Sequence, residues 1–280
     1  MNKILVIGDT HMGTSFICNV AIPQARKNDC KLIVQVGDFG FWEPEEHARK
    51  FLNKVSKCLV REGMTMIWLD GNHERHKVLW ENYPAREDGL SEIRQNLFYA
   101  PRGHVMKIGP VTCLFMGGAY SIDKHGRLAD ELAEGRVEGY YWSPDEMITT
   151  TDVERAIRHI ARSGPIDLMF THDVPTGIDV PGVHSTNKDF FPESTRNRMM
   201  LRLVFDRAQP KMLVHGHYHE RYTGKLPLKP QVDPESDVLD WGYCRVDGLS
   251  YNGEEGFAIV LDMESIFVKE KRSSASDVTD

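Results

Sequence analysis

Short apolar runs that stop against Asp, His or Asn constrain this chain more than anything else in it. The run at 4–7 leads into Asp9-Thr10-His11, that at 32–36 into Gly37-Asp38, and that at 64–69 into Gly71-Asn72-His73. Further along, 167–170 leads into Thr171-His172, and 211–214 into His215-Gly216-His217-Tyr218-His219. Near-continuous apolar runs of this length suit strands covered on both faces. In open α/β sheets, ligand sites form beyond the carboxyl ends of the strands. Polar residues at these five tips therefore predict one convergent site.

Two further runs, 111–116 and 257–261, read as strands, and helical patterns lie between several of the runs. Within 44–63, Ala48, Phe51, Leu52, Val55 and Leu59 recur at helical spacing, with Pro44 near the start. A second helix opens at Thr151-Asp152-Val153-Glu154, read as a capping box, stripes Val153, Ala156, Ile157 and Ile160, and closes at Gly164-Pro165. Strands alternating with helices predict a layered α/β domain. We expect one domain over 1–270 and a disordered polar tail at 271–280. Segments 118–146 and 173–194 read as loops, and 225–240 as an irregular excursion.

The chain has a net charge of −7, so it lacks the broad basic footprint of non-specific nucleic-acid binding. No apolar run approaches the roughly 20 residues of a membrane-spanning helix. The N-terminus runs straight into a strand pattern, which argues against a secretory signal. The 5 cysteines are scattered without CxxC spacing, which excludes a zinc ribbon and predicts reduced thiols in a cytoplasmic protein.

The mixture of carboxylate, amide and imidazole at the tips suits borderline divalent metals better than Ca²⁺, which prefers oxygen alone. A carboxylate can bridge two such ions, the arrangement of two-metal phosphoryl-transfer sites. Gly37, Gly71 and Gly216 would let the backbone turn tightly beside the ligands. Singly, each fragment is commonplace, and a lone His at a strand end is usually structural. Their ordered combination is what points to a cluster.

Asp9-x-His11, Gly37-Asp38, Gly71-Asn72-His73-Glu74, His172 and Gly216-His217-x-His219 together resemble the calcineurin-like metallophosphoesterase superfamily, in phage and bacterial form. The resemblance covers 4–219. It implies a four-layer α/β/β/α sandwich with the site at its edge. It also implies one metal held by Asp9, His11, Asp38 and His219, and a second by Asp38, Asn72, His172 and His217. Mn²⁺ is the first expectation, with Fe, Zn or Mg as alternatives. His73 matches the family's catalytic histidine. Two departures separate this chain from the protein-phosphatase branch. Phe41, Trp42 and Asp70 stand where that branch has an Asp, its following Arg, and the Arg before the Asn-His pair. The carboxylate that orients the catalytic histidine is also displaced; Glu43, Asp70 or Asp123 are substitutes.

Gly117-Gly118 through Asp123 follows a strand and resembles a segment of the same superfamily members, allowing close backbone approach. Arg75, His76, Asp123 and Arg127 are candidates for substrate contact, with Arg196 and Arg198 at a substrate entrance. Among Phe39, Phe41, Trp42, Tyr140, Tyr141 and Trp142, one or two could stack on a base; most are expected in the core. The function expected is hydrolysis of small phosphodiesters such as cyclic nucleotides, by a hydroxide bridging the two ions, with His73 as general acid. The alternatives are a phosphomonoesterase, a nuclease, and a metal-bound scaffold without turnover. The partner expected is a small phosphoester or nucleotide. Nucleic acid and oligomeric state stay open.

Overall fold

The computed structural model describes residues 2–183, 192–232, 239–240 and 242–267. The chain runs β1 (Lys3–Ile7), α1 (Thr14–Phe16), α2 (Ile22–Lys27), β2 (Leu32–Val36), α3 (Glu46–Glu62), β3 (Thr65–Leu69) and α4 (His76–Asn82). It continues through β4 (Ser91–Arg94), β5 (Leu97–Tyr99), β6 (His104–Ile108), β7 (Val111–Met116), α5 (Lys124–Ala133), α6 (Thr150–Ser163) and β8 (Leu168–Thr171). Then come α7 (Pro192–Ala208), β9 (Met212–His215), β10 (Tyr222–Pro227), β11 (Gln231–Val232), β12 (Leu239–Asp240), β13 (Tyr243–Gly248) and β14 (Ala258–Asp262).

Two six-stranded sheets result, in the orders β14-β1-β2-β3-β5-β4 and β10-β13-β9-β8-β7-β6. Each has parallel strands at its centre (β1, β2, β3, β5; β13, β9, β8, β7) and an antiparallel strand at either edge. The apolar residues sort into three clusters that define four layers. Alternate positions of the first sheet, Leu5, Ile33, Met66 and Trp68, pack on α3 and the α1–α2 segment. Their neighbours Ile4, Val6, Val34 and Ile67 turn the other way, against Cys113, Phe115, Phe170 and Val214 of the second sheet. The far face of that sheet, with Leu114, Met169 and Leu213, packs on α6 and α7 through Ala156, Leu201 and Phe205. This is the expected α/β/β/α sandwich.

All seven strands read from apolar runs form. So does α3, closed by Gly63 in the left-handed region at φ 60°. Four expectations need correction. The capping box of α6 is made by Thr149 and Asp152, not by Thr151 and Glu154. The 118–146 segment is not a loop throughout, because α5 and a 3-10 turn at Pro144–Glu146 lie within it. Helix α5 escapes an apolar-periodicity search because Arg127 and Glu131 are the residues it buries. The 225–240 stretch is not simply irregular, since β10 continues to Pro227 and β11 pairs with β12. Finally, Cys18 and Cys58 are joined as a disulfide with Cα atoms 5.9 Å apart, while Cys30, Cys113 and Cys244 stay free and buried. The expected tail, and 184–191 of the second loop, lie outside the described residues. No helix of the described residues is long and apolar enough to cross a membrane.

At the edge strand β6, His104 is buried beneath Gly89, and its Nε2 finds no hydrogen-bond partner among the described residues. Burial pushes this imidazole down to about 4, with His159 acting in the same sense. An unfolded chain takes up the proton near pH 6.5, roughly, and the folded one only near its lower value. The stabilisation is therefore complete above about pH 6.5 and is lost as pH falls through that window. His104→Leu should flatten this part of the pH dependence, measured as the difference in urea midpoints between neutral pH and the acid side. Parallel wild-type and variant profiles would contradict it.

Candidate metal centre

Parallel strands bring their carboxyl ends to one side, so the tips of β1, β2 and β3 meet those of β8 and β9. Asp38 is the junction. Its carbonyl accepts from Thr10 N (3.1 Å) and His11 N (2.9 Å), and its Oδ1 accepts from Asn72 N (2.7 Å) and His73 N (2.9 Å). Asp9 ties in the fifth tip, its Oδ1 accepting from His217 N at 3.1 Å. Three donor groups follow, each with ligand atoms within 4.8 Å of one another: Asp9, His11, His219; His11, Asp38, His73; and Asp38, His172, His217. The predicted seven residues thus gather in one place. Asn72 joins them, its Oδ1 lying 3.3 Å from His172 Nε2.

Backbone strain concentrates here. His11 (φ 41°), Asp38 (52°), His217 (71°) and His219 (59°) all occupy the left-handed region. That conformation costs a non-glycine residue on the order of 1–3 kcal/mol and survives only where its surroundings impose it. Among the glycines, Gly37 (φ 95°) answers to conformation. Gly71 answers to space, because a Cβ there would run into the Asp38 carboxylate.

Electrostatics show that the cluster fits cations. Burial disfavours charge on His172, yet Asp38 and Asp9 outweigh it and push this imidazole up to about 10. Burial would likewise raise Asp38, but His172 and His73 hold it well below the carboxylate range. A buried carboxylate pair that recruits protons onto neighbouring imidazoles is a site where a metal ion can replace those protons. His172 Nδ1–H donates to Val36 O at 2.8 Å, fixing the ring and turning Nε2 toward Asp38 Oδ1 at 3.3 Å. His11 Nε2 and His219 Nε2 face each other at 3.3 Å. Asp9 Oδ2 is buried and accepts no well-formed hydrogen bond among the described residues, although His219 Nε2 lies 3.0 Å away. Converging lone pairs of this kind are what a cation satisfies.

His73 sits at the rim, its Nε2 3.9 Å from Asp38 Oδ2 and 2.7 Å from the Arg127 guanidinium. A guanidinium only donates, so His73 Nε2 accepts and the ring is neutral. Burial, with Arg127 and His11 adding to it against Asp38, pushes His73 down to about 4. Arg127 also donates to Asn72 O (2.8 Å) and pairs with Asp123 (2.9 Å). Arg127 therefore lies at the rim of the cluster beside Asn72 and His73, and Asp123 is the group that holds it.

The other expectations divide. His76 is buried, donating to Gly71 O at 3.1 Å and facing Asp70 at 3.3 Å, so it supports the third tip. Arg75 lies over the Tyr140 ring at 4.7 Å, in a cavity of about 290 Å³ that also includes Asn72, His76, Tyr141 and Glu146. Glu43 pairs with Arg94 and accepts from Tyr83, and Asp70 pairs with Arg102, so neither orients His73; Asp123 reaches it through Arg127. Arg198 is buried and donates to Val174 O and Ile178 O, a structural role instead of an entrance. Phe39 and Phe41 are core, stacked on Trp68, whereas Trp42, Tyr140 and Tyr141 cluster beside the cavity.

Several supporting groups escape sequence reasoning. Glu74 staples two tips, accepting from Gly40 N (3.0 Å) and Gly71 N (2.7 Å); burial, with Asp38 nearby, pushes its carboxyl up to about 7. Asn252, after β13, donates its N–H to Asp9 O (2.9 Å) and its side chain to Thr10 O (3.1 Å). Only the Gly-Asn-His-Glu run hinted at Glu74, and nothing local marks Asn252. Under β3, Arg102 is fully enclosed, with Asp70 at 2.6 Å and Asp152 at 3.4 Å.

The comparisons agree with this geometry. The family model described as calcineurin-like phosphoesterase matches residues 2–221. The chain belongs to that family, which is dinuclear and metal-dependent. It is 23% identical over 206 residues to a lariat debranching enzyme of Entamoeba histolytica, covering 62% of this chain and 54% of that one. A lariat debranching enzyme of Schizosaccharomyces pombe is 25% identical over 204 residues, covering 68% of this chain and 41% of that one. The chain thus spans about half the length of the curated relatives it matches. In fold it is similar to the crystal structure of TT1561 of Thermus thermophilus, with TM-score 0.51, 10% identity, and coverage of 95% and 96%.

Removing the cation from the Arg102 cluster takes from the buried carboxylates of Asp70 and Asp152 the guanidinium they share. Arg102→Met should destabilise the fold by about 3–5 kcal/mol, the range for breaking a buried ion pair. The urea unfolding midpoint reads this out, and a loss below about 1 kcal/mol would contradict it.

Proposed function

We propose that the chain is a phosphodiesterase acting on small nucleotide diesters, cyclic nucleotides among them, with two divalent ions. Asp9, His11, Asp38 and His219 would hold one ion, and Asp38, Asn72, His172 and His217 the other, with Mn²⁺ the first candidate. The observation carrying this reading is the junction at Asp38, whose carboxylate is grouped with His172 and His217 on one side and with His11 on the other, His11 being grouped in turn with Asp9 and His219. Bound as a pair, such ions supply activated water and neutralise phosphoryl charge. The chain's own residues would do the rest. Arg127 is the nearest fixed cation to the rim and would bind a phosphate oxygen through its forked donors. Turned to the phosphate, Arg127 would free His73 Nε2 to take up a proton from solvent, since the guanidinium is one of the groups that hold this ring neutral, and His73 would then pass that proton to the leaving oxygen.

The preference for a diester is supported by the cavity beside Asn72, where Arg75, Tyr140 and Tyr141 offer room and aromatic surface for a second ester group. A nuclease is the second reading, favoured by the names of the two curated relatives and opposed by the acidic balance of the chain.

On Mn²⁺-loaded protein, bis-p-nitrophenyl phosphate should be cleaved at least ~10-fold faster in kcat/KM than the monoester, equivalent to about 1.4 kcal/mol in barrier. A reversed ratio overturns the diester reading. A lariat tested beside 2′,3′- and 3′,5′-cyclic nucleotides separates the two diester readings. His73→Ala should lower turnover by ~10²–10⁴ with metal content unchanged, and undiminished turnover would remove the assignment. Asp38→Ala should lose both ions in elemental analysis; a full complement would contradict a bridging role.

A further inference from the structure

An amide side chain is nearly the same shape either way round, but only its oxygen offers a lone pair to a cation. Inside the cluster Asn72 Oδ1 faces His172 Nε2 at 3.3 Å, and the other end of the amide is governed from outside it. Its Nδ2 donates to Ser121 Oγ at 3.1 Å. A hydroxyl can serve as donor or acceptor, so Ser121 alone settles nothing. Behind it is Glu146, 1% exposed, whose Oε2 is 2.7 Å from Ser121 Oγ. Glu146 Oε1 accepts from Ser121 N (2.7 Å) and Trp142 Nε1 (2.9 Å). A carboxylate only accepts, so the single Ser121 hydroxyl proton is committed to it. The hydroxyl then turns a lone pair to residue 72, which must answer with its N–H₂ end. The backbone around Glu146 is itself clamped, since Arg102 donates to the carbonyls of Asp145, Glu146 and Met147 at 2.7–2.9 Å.

We propose that Glu146, acting through Ser121, is a positioning residue that holds the Asn72 amide with its oxygen toward the second cation position. The inference rests on the reading of Asp38, Asn72, His172 and His217 as ligands. Groups of this kind change metal affinity by about 10–100-fold when lost.

The test is Mn²⁺ titration of metal-free protein by calorimetry, with bound metal counted per chain. E146Q keeps the shape but reverses the polarity. Its Oε1 is needed by Ser121 N and Trp142 Nε1, so its amide nitrogen faces Ser121 Oγ and redirects the hydroxyl proton to residue 72. E146Q should hold one Mn²⁺ at wild-type affinity and the second ~10–100-fold more weakly. Ser121→Ala, a smaller change whose folding a thermal melt checks, should weaken the same ion. In an Asn72→Asp background, E146Q should no longer weaken it, because a carboxylate there accepts from the redirected hydroxyl. Wild-type affinity for both ions in E146Q and Ser121→Ala overturns the proposal, as does equal weakening by E146Q in the Asn72 and Asn72→Asp backgrounds. A wild-type chain that takes up no Mn²⁺ fails the metal reading itself, which tells the two failures apart.

Discussion

One aspartate, held in a conformation it would not choose alone, organises the centre. Asp38 sits at φ 52° with its carbonyl bonded to the first strand tip and its carboxylate to the third. The left-handed turn is what separates these two groups, so that one residue faces both neighbours. Without it, the tips of β1 and β3 would lack a common anchor, and the Asn72 and His73 amides would lose a buried acceptor. Such strain persists only because packing on both sides of β2 over-determines it. The same carboxylate belongs to two of the three donor groups, one reaching His11 and the other His172 and His217.

Around that junction, supporting groups bind loop to loop more than they contact the centre. Glu74 bridges the second and third tips, Asn252 props the first, and Asp9 receives the fifth. Buried polar networks of this kind specify one arrangement when every member is satisfied. The reach of the Arg102 cluster is notable in this respect. It holds Asp70 beneath the third tip and, on its other side, the carbonyls of 145–147, so one buried cation joins the loop that carries Asn72 to the segment that backs it.

The central strands were legible because they are apolar on both faces, and the residues of the candidate cluster were legible because each group follows such a strand at once. What the sequence hid has physical reasons. Helix α5 buries Arg127 and Glu131 and leaves Leu132 84% exposed, so an apolar-stripe search runs backwards on it. His76 looks like an extension of the catalytic loop, but the turn of α4 carries it inward to Gly71 and Asp70. The Cys18–Cys58 pair is 40 residues apart in sequence, and only packing of the α1–α2 segment on α3 joins it. Asn252 lies far from Thr10 along the chain and meets it only because β13 and β14 belong to different sheets.

The return of the last strand has a consequence for how the molecule is assembled. The second sheet is drawn from one continuous stretch, β6 to β13, whereas the first is completed only when β14 comes back to lie beside β1, with Ile4 opposite Leu261. Until then, β1 offers a bare row of amides and carbonyls, the hazard of any open sheet margin. Closing it demands contact between residues as distant along the chain as Ile4 and Leu261, and such contacts come late because their entropy must be met first. During synthesis, the strand that leads into Asp9 must therefore wait until β14 has been made before its outer flank is sealed.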